Sequence, residues 1–351
     1  VKRLGELFML GFAGEDLSFL EAWAREEGLG GVILFARNLG TPEEIAALTD
    51  RLRRLTPELP PLIAVDQEGG RVARLRPPFT EWPTARAVGL AGSEDLAFEV
   101  GKAIGVELAS AGLTMDMAPV LDVDTNPANP IIGDRSFAAD PALVARLGGA
   151  FARGLAEAGV LAVGKHFPGH GDTAADSHLT LPVVSHPRDR LLSLEVAPFR
   201  AAAPHLSAIM TAHVLYPALD AEHPATLSPA ILTDLLRRAI DYDGIIVSDD
   251  LEMAGIAARR PAGEAARRFL QAGGDLILIC HRPEVQREAL EAVRRAAARG
   301  EIHAARLEQA RARIRNARGR AAAPRQRPPL PGPEGFPAHR ALALRLGASP
   351  R

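Results

Sequence analysis

Leu161-Ala162-Val163-Gly164-Lys165-His166-Phe167-Pro168-Gly169-His170-Gly171-Asp172-Thr173-Ala174-Ala175-Asp176-Ser177-His178 begins as an apolar run and ends as a dense polar one. Its first part, Leu161 to Lys165, is short and continuous, as a strand buried on both faces of a parallel sheet should be. The fourteen residues from Lys165 to His178 hold three His, two Asp and one Lys, with Pro168, Gly169 and Gly171 in the middle. They show neither helical nor strand periodicity, and their polar groups need partners or water. A buried strand running into a loop of ionisable residues is how catalytic groups are carried on a rigid scaffold.

Outward from this stretch the pattern recurs. Strand candidates are Leu7 to Phe12, Gly31 to Phe35, Leu62 to Asp66, Thr114 to Val120, Leu161 to Lys165, Ala208 to Val214, Gly244 to Asp249 and Leu276 to Ile279. Helical patterns lie between them. Thr41-Pro42-Glu43-Glu44 supplies an N-cap, a Pro at the first helical position and a capping-box Glu. Ile45, Leu48, Leu52 and Leu55 then share one face. Ser93 opens a second helix with Leu96, Val100, Ile104 and Leu108 inward, and Ser228-Pro229 opens a third. Eight strands alternating with helices predict an α/β fold, a (β/α)8 barrel of the TIM type. A doubly wound open sheet is the alternative.

The bulk numbers fit one large domain. Of 351 residues, 47% are hydrophobic and 24% charged, the globular average. Lys and Arg total 41 against 43 Asp and Glu, so nothing points to nucleic acid or an anionic membrane. No apolar run is long enough to cross a bilayer. The one cysteine, Cys280, excludes internal disulfides and a Cys-based metal site; it reads as a small buried residue. The barrel is expected over residues 1–320. Residues 321–351 read as a Pro/Arg-rich tail or linker, with a short helix at His339 to Leu346. The Arg-rich segment Arg306 to Arg320 reads as a solvated helix face.

In such a barrel the C-terminal strand ends form the active-site face. Acids and bases gather at five of them: Asp66-Gln67-Glu68 with Arg74, Asp122 and Asp124 followed by Asp134-Arg135, Lys165-His166, His213, and Ser248-Asp249-Asp250. Each also has a bland reading. Asp66 and Asp249 suit helix caps, Asp250 and Glu252 first-turn acids, and Asp122 and Asp124 turn formers. His213 suits a rim histidine, while His205, His223, His281, His303 and His339 read as surface or structural. Asp176 and His178, two apart in an extended loop, can point the same way. A carboxylate there orients the imidazole and raises its proton affinity.

Four segments together resemble family 3 of the glycoside hydrolases, nearest its β-N-acetylhexosaminidase branch: Val65 to Val72, Lys165 to His178, Met210-Thr211-Ala212-His213 and Val247 to Met253. The pattern Lys-His-Phe-Pro-Gly-His-Gly-Asp-(x)4-Asp-x-His marks that branch. The resemblance implies a retaining exo-glycosidase. Asp249 matches the nucleophile, His178 the acid/base and Asp176 its dyad partner. Asp66, Arg74, Arg135, Lys165 and His166 match positions that bind terminal N-acetylglucosamine, and His213 is a pocket residue by the same comparison. The branch implies small glycosides or muropeptides from peptidoglycan as substrates, with no metal and no cofactor. About thirty residues follow the barrel, which matches the one-domain, cytoplasmic members. A secreted or lipid-anchored form stays open because the first residue is Val1.

Three alternatives compete. His166, His170, Asp172 and His178 sit close enough in sequence for a metal-dependent hydrolase. A silent sugar-binding protein would keep the pocket without turnover. A β-glucosidase of the same family would cleave glucosides as well.

Overall fold

The computed structural model describes residues 3–14, 16–174 and 180–347. Its centre is a ring of eight parallel strands: β1 (Phe8–Leu10), β2 (Gly31–Leu34), β3 (Leu62–Val65), β4 (Met115–Asp116), β5 (Leu161–Phe167), β6 (Ala208–Thr211), β7 (Ile245–Val247) and β8 (Ile277–Ile279). Each strand pairs with its chain neighbour, and β8 pairs with β1 through Phe8–Ile277 and Met9–Leu278. The seam between β7 and β8 closes through the Val247–Leu276 bridge and a bond from Ser248 N to Leu276 O of 3.0 Å. The fold is therefore the (β/α)8 barrel that the alternation of runs predicts. Every residue in the strands is buried, which is why these runs are apolar throughout rather than alternating.

Each of the eight candidate runs holds a strand; seven strands are shorter than their run, and β5 continues two residues past Lys165 to Phe167. Only Met115–Asp116 of the fourth is regular, because Pro119 has no N–H to give to the ladder. The backbone still tracks β5, with Val163 N on Ala118 O at 2.8 Å and Leu121 N on Lys165 O at 2.7 Å. Just past β7 the Ser248 hydroxyl substitutes for a ladder carbonyl and accepts from Leu278 N at 2.9 Å.

The helix caps follow the sequence. Thr41 accepts from Glu44 N at 3.2 Å while the Glu44 carboxylate accepts from Thr41 N at 2.8 Å. Ser93 accepts from Leu96 N at 3.3 Å and Ser228 from Ile231 N at 3.1 Å. Helices Glu94–Ser110 and Pro141–Glu157 pack closely against each other, backbone against backbone at glycines. A Cβ on Gly101 would lie 2.2 Å from Phe151 O, and one on Gly154 2.2 Å from Phe98 O.

The Arg-rich helix Ala304–Ala321 departs from the solvated face expected of it. Arg306, Arg313 and Arg237 converge on fully buried Asp275, and Arg315 pairs with Glu6 at 2.8 Å. Buried Arg318 donates to Pro60 O at 3.0 Å and to Leu59 O. Asp275, Glu6 and Pro60 all precede strands, so this helix lies on the N-terminal end of the barrel. Beyond it Arg327 reaches Ser110 O at 2.8 Å. The short helix Pro337–Arg345 then sets His339 on Glu107 at 2.8 Å.

Because the Gly101/Gly154 contact leaves no room for a methyl group, Gly154→Ala should destabilise the fold by about 1–3 kcal/mol. Chemical denaturation should show this loss, with turnover per folded molecule unchanged.

Candidate active site

The site is built from the C-terminal strand ends. Past β3 the chain makes a short hairpin, Gln67–Gly69 with Val72–Ala73. Gly69 and Gly70 turn it at φ +95° and +57°, where a side chain is disfavoured. The Gln67 side chain locks the hairpin by accepting from Arg74 N at 2.8 Å and Leu75 N at 3.1 Å. Asp66 and Glu68, two apart along extended backbone, then face the same way.

Between them sits the Lys165 ammonium, 2.8 Å from Asp66 and 2.6 Å from Glu68. Glu68 also receives a two-pronged bond from Arg135, 2.8 Å on each side. Arg74 approaches Asp66 at 3.6 Å. Burial pushes the Glu68 carboxyl up, but the Arg135 and Lys165 charges outweigh it and hold the group well below the usual carboxylate range. Burial likewise pulls Lys165 down, and Asp66 and Glu68 more than reverse it. The group is a chain of alternating charge, in which each member is paired with the next. Glu68 was not singled out from the sequence, although its spacing of two from Asp66 carried the signal.

Next along the barrel, His166 follows Lys165 at the end of β5. Asp122, expected as a turn former, is instead fully buried. It accepts from His166 N at 3.1 Å, His170 N at 2.7 Å and the His166 ring at Nδ1, 2.7 Å away. Burial raises its carboxyl, yet His166 and the other bonds bring it below the ordinary range. Asp124 pairs with Arg86 at 2.6 Å. His170 is buried with its Nδ1 2.9 Å from the Thr173 hydroxyl, and burial with the His166 charge pulls its ring down to about 4. Asp172 bonds to His186 and lies 3.7 Å from Arg190. Among the described residues no group of three His, Cys, Asp or Glu is arranged to hold a metal ion.

Across the cavity, Asp249 follows β7. Its carboxylate accepts from Asp250 N at 2.8 Å. Burial raises it, but His213, His166, that amide and Lys165 together leave it below its ordinary value. Asp250 and Glu252 differ from the first-turn acids expected, because they tie β7 to β8. Asp250 accepts from Cys280 N at 3.2 Å and Glu252 N at 3.1 Å. Glu252 accepts from His281 N at 2.6 Å and from Arg282 Nε at 2.7 Å. Burial, with the Glu252 and Asp249 charges, pushes Asp250 up to about 7. His213 lies behind the wall, wholly buried rather than on a rim, with Nε2 donating to Asp250 O at 2.9 Å. Cys280 is buried, and burial pushes its thiol up.

Asp66, Arg74, Arg135, Lys165, His166 and Asp249 all line one cavity of about 500 Å³. Phe35, Ile131 and Met253 add apolar surface to its lining. Asp176 and His178 fall outside the described residues. A concave site of this size, with cations and carboxylates converging at one end and an ionised carboxylate opposite, suits a polyhydroxylated ligand and nucleophilic attack on it.

A (β/α)8 barrel with this face is a common architecture for hydrolysis of glycosidic bonds, and known proteins place the chain more narrowly. The model for the glycosyl hydrolase family 3 N-terminal domain matches residues 2–317, so the chain belongs to glycoside hydrolase family 3. A β-hexosaminidase of Methylococcus capsulatus is 44% identical over 273 residues, 77% of this chain and 80% of that protein. One from Pseudomonas aeruginosa is 40% identical, over 77% of this chain and 81% of its own. The solved family 3 β-N-acetylglucosaminidase from Paenibacillus sp. superposes with a TM-score of 0.93 at 41% identity, covering 98% of this chain and 67% of that one. The β-N-acetylhexosaminidase from Beutenbergia cavernae superposes at 0.83 and 33% identity, over 90% of this chain and 97% of its own. The chain is an enzyme, a glycoside hydrolase.

Acid should reveal the neutral state of His170. An unfolded imidazole titrates near 6.5, the folded one near 4, so below 6.5 the unfolded chain binds the extra proton. Stability should therefore fall as pH drops from 6.5 to about 4, by on the order of 3 kcal/mol. Asp250, raised from 3.8 to about 7, contributes the opposite slope over nearly the same range. Urea unfolding of wild type and His170→Gln across this range should isolate the first slope, which the variant lacks.

Proposed function

We propose that this protein is a retaining, exo-acting β-N-acetylglucosaminidase that removes terminal N-acetylglucosamine from peptidoglycan fragments. The observation that carries the reading is Asp249. It is a half-buried carboxylate kept ionised, facing the cavity whose opposite wall is Asp66, Lys165, Arg74 and Arg135. The names of the relatives support the hexosaminidase part.

In this mechanism the terminal sugar enters with its hydroxyls toward the charged wall. Carboxylates there accept from hydroxyls, Lys165 and the arginines donate to them, and His166 adds one further contact. Asp249 attacks the anomeric carbon from below and the bond to the leaving oxygen breaks, giving a glycosyl-enzyme ester. His178 protonates the leaving oxygen, with Asp176 stabilising the imidazolium. The neutral imidazole then takes a proton from water, which attacks the anomeric carbon and frees Asp249. The polar end wall suits exo action, since it meets the terminal ring where a longer chain would need an opening. Met253, Ile131 and Phe35 supply apolar surface in the same cavity against which ring faces and the aglycone can pack. The catalytic unit is read as residues 1–320, with 321–351 as an appended segment, and the proposed setting is the cytoplasm. His213 acts from behind, through the Asp250 carbonyl.

Incubation with a 2-fluoro-glycosyl inhibitor followed by peptide mass analysis should find the label on Asp249. Labelling elsewhere would overturn the assignment. Asp249→Ala should lose at least about three orders of magnitude in kcat. His178→Ala should retain most turnover of aryl glycosides with acidic leaving groups and lose it on natural fragments. Equal losses on both substrates would rule His178 out as the acid.

A further inference from the structure

We propose that Asp122 is a positioning residue, fixing the His166 ring with its Nδ1 proton toward the barrel wall and Nε2 as the nitrogen that serves the cavity. The inference rests on the reading of the cavity as a sugar pocket for its effect on turnover, but not for its geometry.

Three donors meet the Asp122 carboxylate. The amides of His166 and His170 both reach Oδ1, at 3.1 and 2.7 Å, and the His166 ring reaches Oδ2 at 2.7 Å. A carboxylate only accepts, so Nδ1 of His166 carries a proton. The two amides point at one oxygen and so fix which oxygen faces the ring. Asp122 has no exposed surface and does not line the cavity, whereas His166 does. The carboxylate thus acts on a ligand only through the imidazole. With Nδ1 occupied, Nε2 is the ring nitrogen left to meet a sugar hydroxyl, and without a proton of its own it accepts from that hydroxyl. In the other tautomer Nε2 would present a proton and could only donate to that hydroxyl, which reverses the sense of the contact. A carboxylate that orients a histidine from behind is a recurring way of setting its tautomer.

The isosteric change Asp122→Asn tests this cleanly. The two backbone N–H groups keep the amide oxygen where Oδ1 was, so the new NH2 faces Nδ1 of His166. The ring must then accept there and move its proton to Nε2. Long-range 15N–1H spectra of histidine-labelled protein report the tautomer directly, with the His166 signals assigned by their loss in His166→Gln. The expected result is an Nδ1–H signal in wild type and an Nε2–H signal in the variant. Catalytic efficiency should fall on the order of 10- to 100-fold, and Asp122→Asn should cause almost no further loss in a His166→Gln background. Three results would overturn the proposal: an Nε2–H tautomer in wild type, an unchanged tautomer in the variant, or full additivity in the double variant. His166→Gln with wild-type kcat and KM would count against the sugar pocket itself, while the spectra would still decide the role of Asp122.

Discussion

The Lys165 ammonium, held between Asp66 and Glu68, is the interaction on which the site depends. It joins the end of β5 to the segment that follows β3, across the intervening β4. Burying one ammonium alone would cost several kcal/mol, and so would burying either carboxylate alone. Together, and with Arg135 on the far side of Glu68, they satisfy one another. The arrangement tolerates little adjustment, since removing any member strands a charge in a desolvated wall. That constraint explains the structure around it, including the glycine turn at 69–70 and the Gln67 lock on Arg74 N. Asp116 beneath them accepts from Gln67 N at 2.9 Å, with burial pushing its own carboxyl well above the ordinary range.

Asp249 is held by a different device. Among the described residues its fixed contact is an amide and not a cation. It is aimed by backbone, through its own bond to Asp250 N and through the clasp that Asp250 and Glu252 make onto β8. His213 completes the clasp by holding the Asp250 carbonyl. The opposing walls therefore differ in kind: one is rigid through paired charges, the other through strand-to-strand amide bonds. In the proposed mechanism Asp249 has to move toward its target carbon and be released from it, and anchoring through one amide suits that movement.

The barrel and most of the cavity wall were legible in the sequence. Each apolar run is a strand buried on both faces, and that burial writes itself directly into composition. Asp66, Arg74, Arg135, Lys165, His166 and Asp249 were legible too, because strand ends are where this fold collects chemistry. What escaped were groups whose role depends on contacts distant in the chain. Asp122 has the local signature of a turn former, yet its partners lie 44 and 48 residues later. The Asp250–Cys280 bond spans 30 residues. The arginines after Arg306 suit a solvated helix by composition alone, and nothing nearby in sequence shows that Asp275 lies beneath them.

The fixed charges of the cavity have a further consequence. Asp66, Glu68, Asp249 and Glu252 stand with Lys165, Arg135, Arg74 and the Arg282 that pairs with Glu252, four carboxylates to four cations, while burial and its acidic neighbours push Asp250 up to about 7. Their fields largely cancel at any distance beyond the pocket. An uncharged sugar is thus neither drawn in nor turned away as it diffuses up to the barrel. Selection begins only at contact, when each hydroxyl meets a local dipole of matching sense, and a charged impostor gains nothing from its charge on the way in.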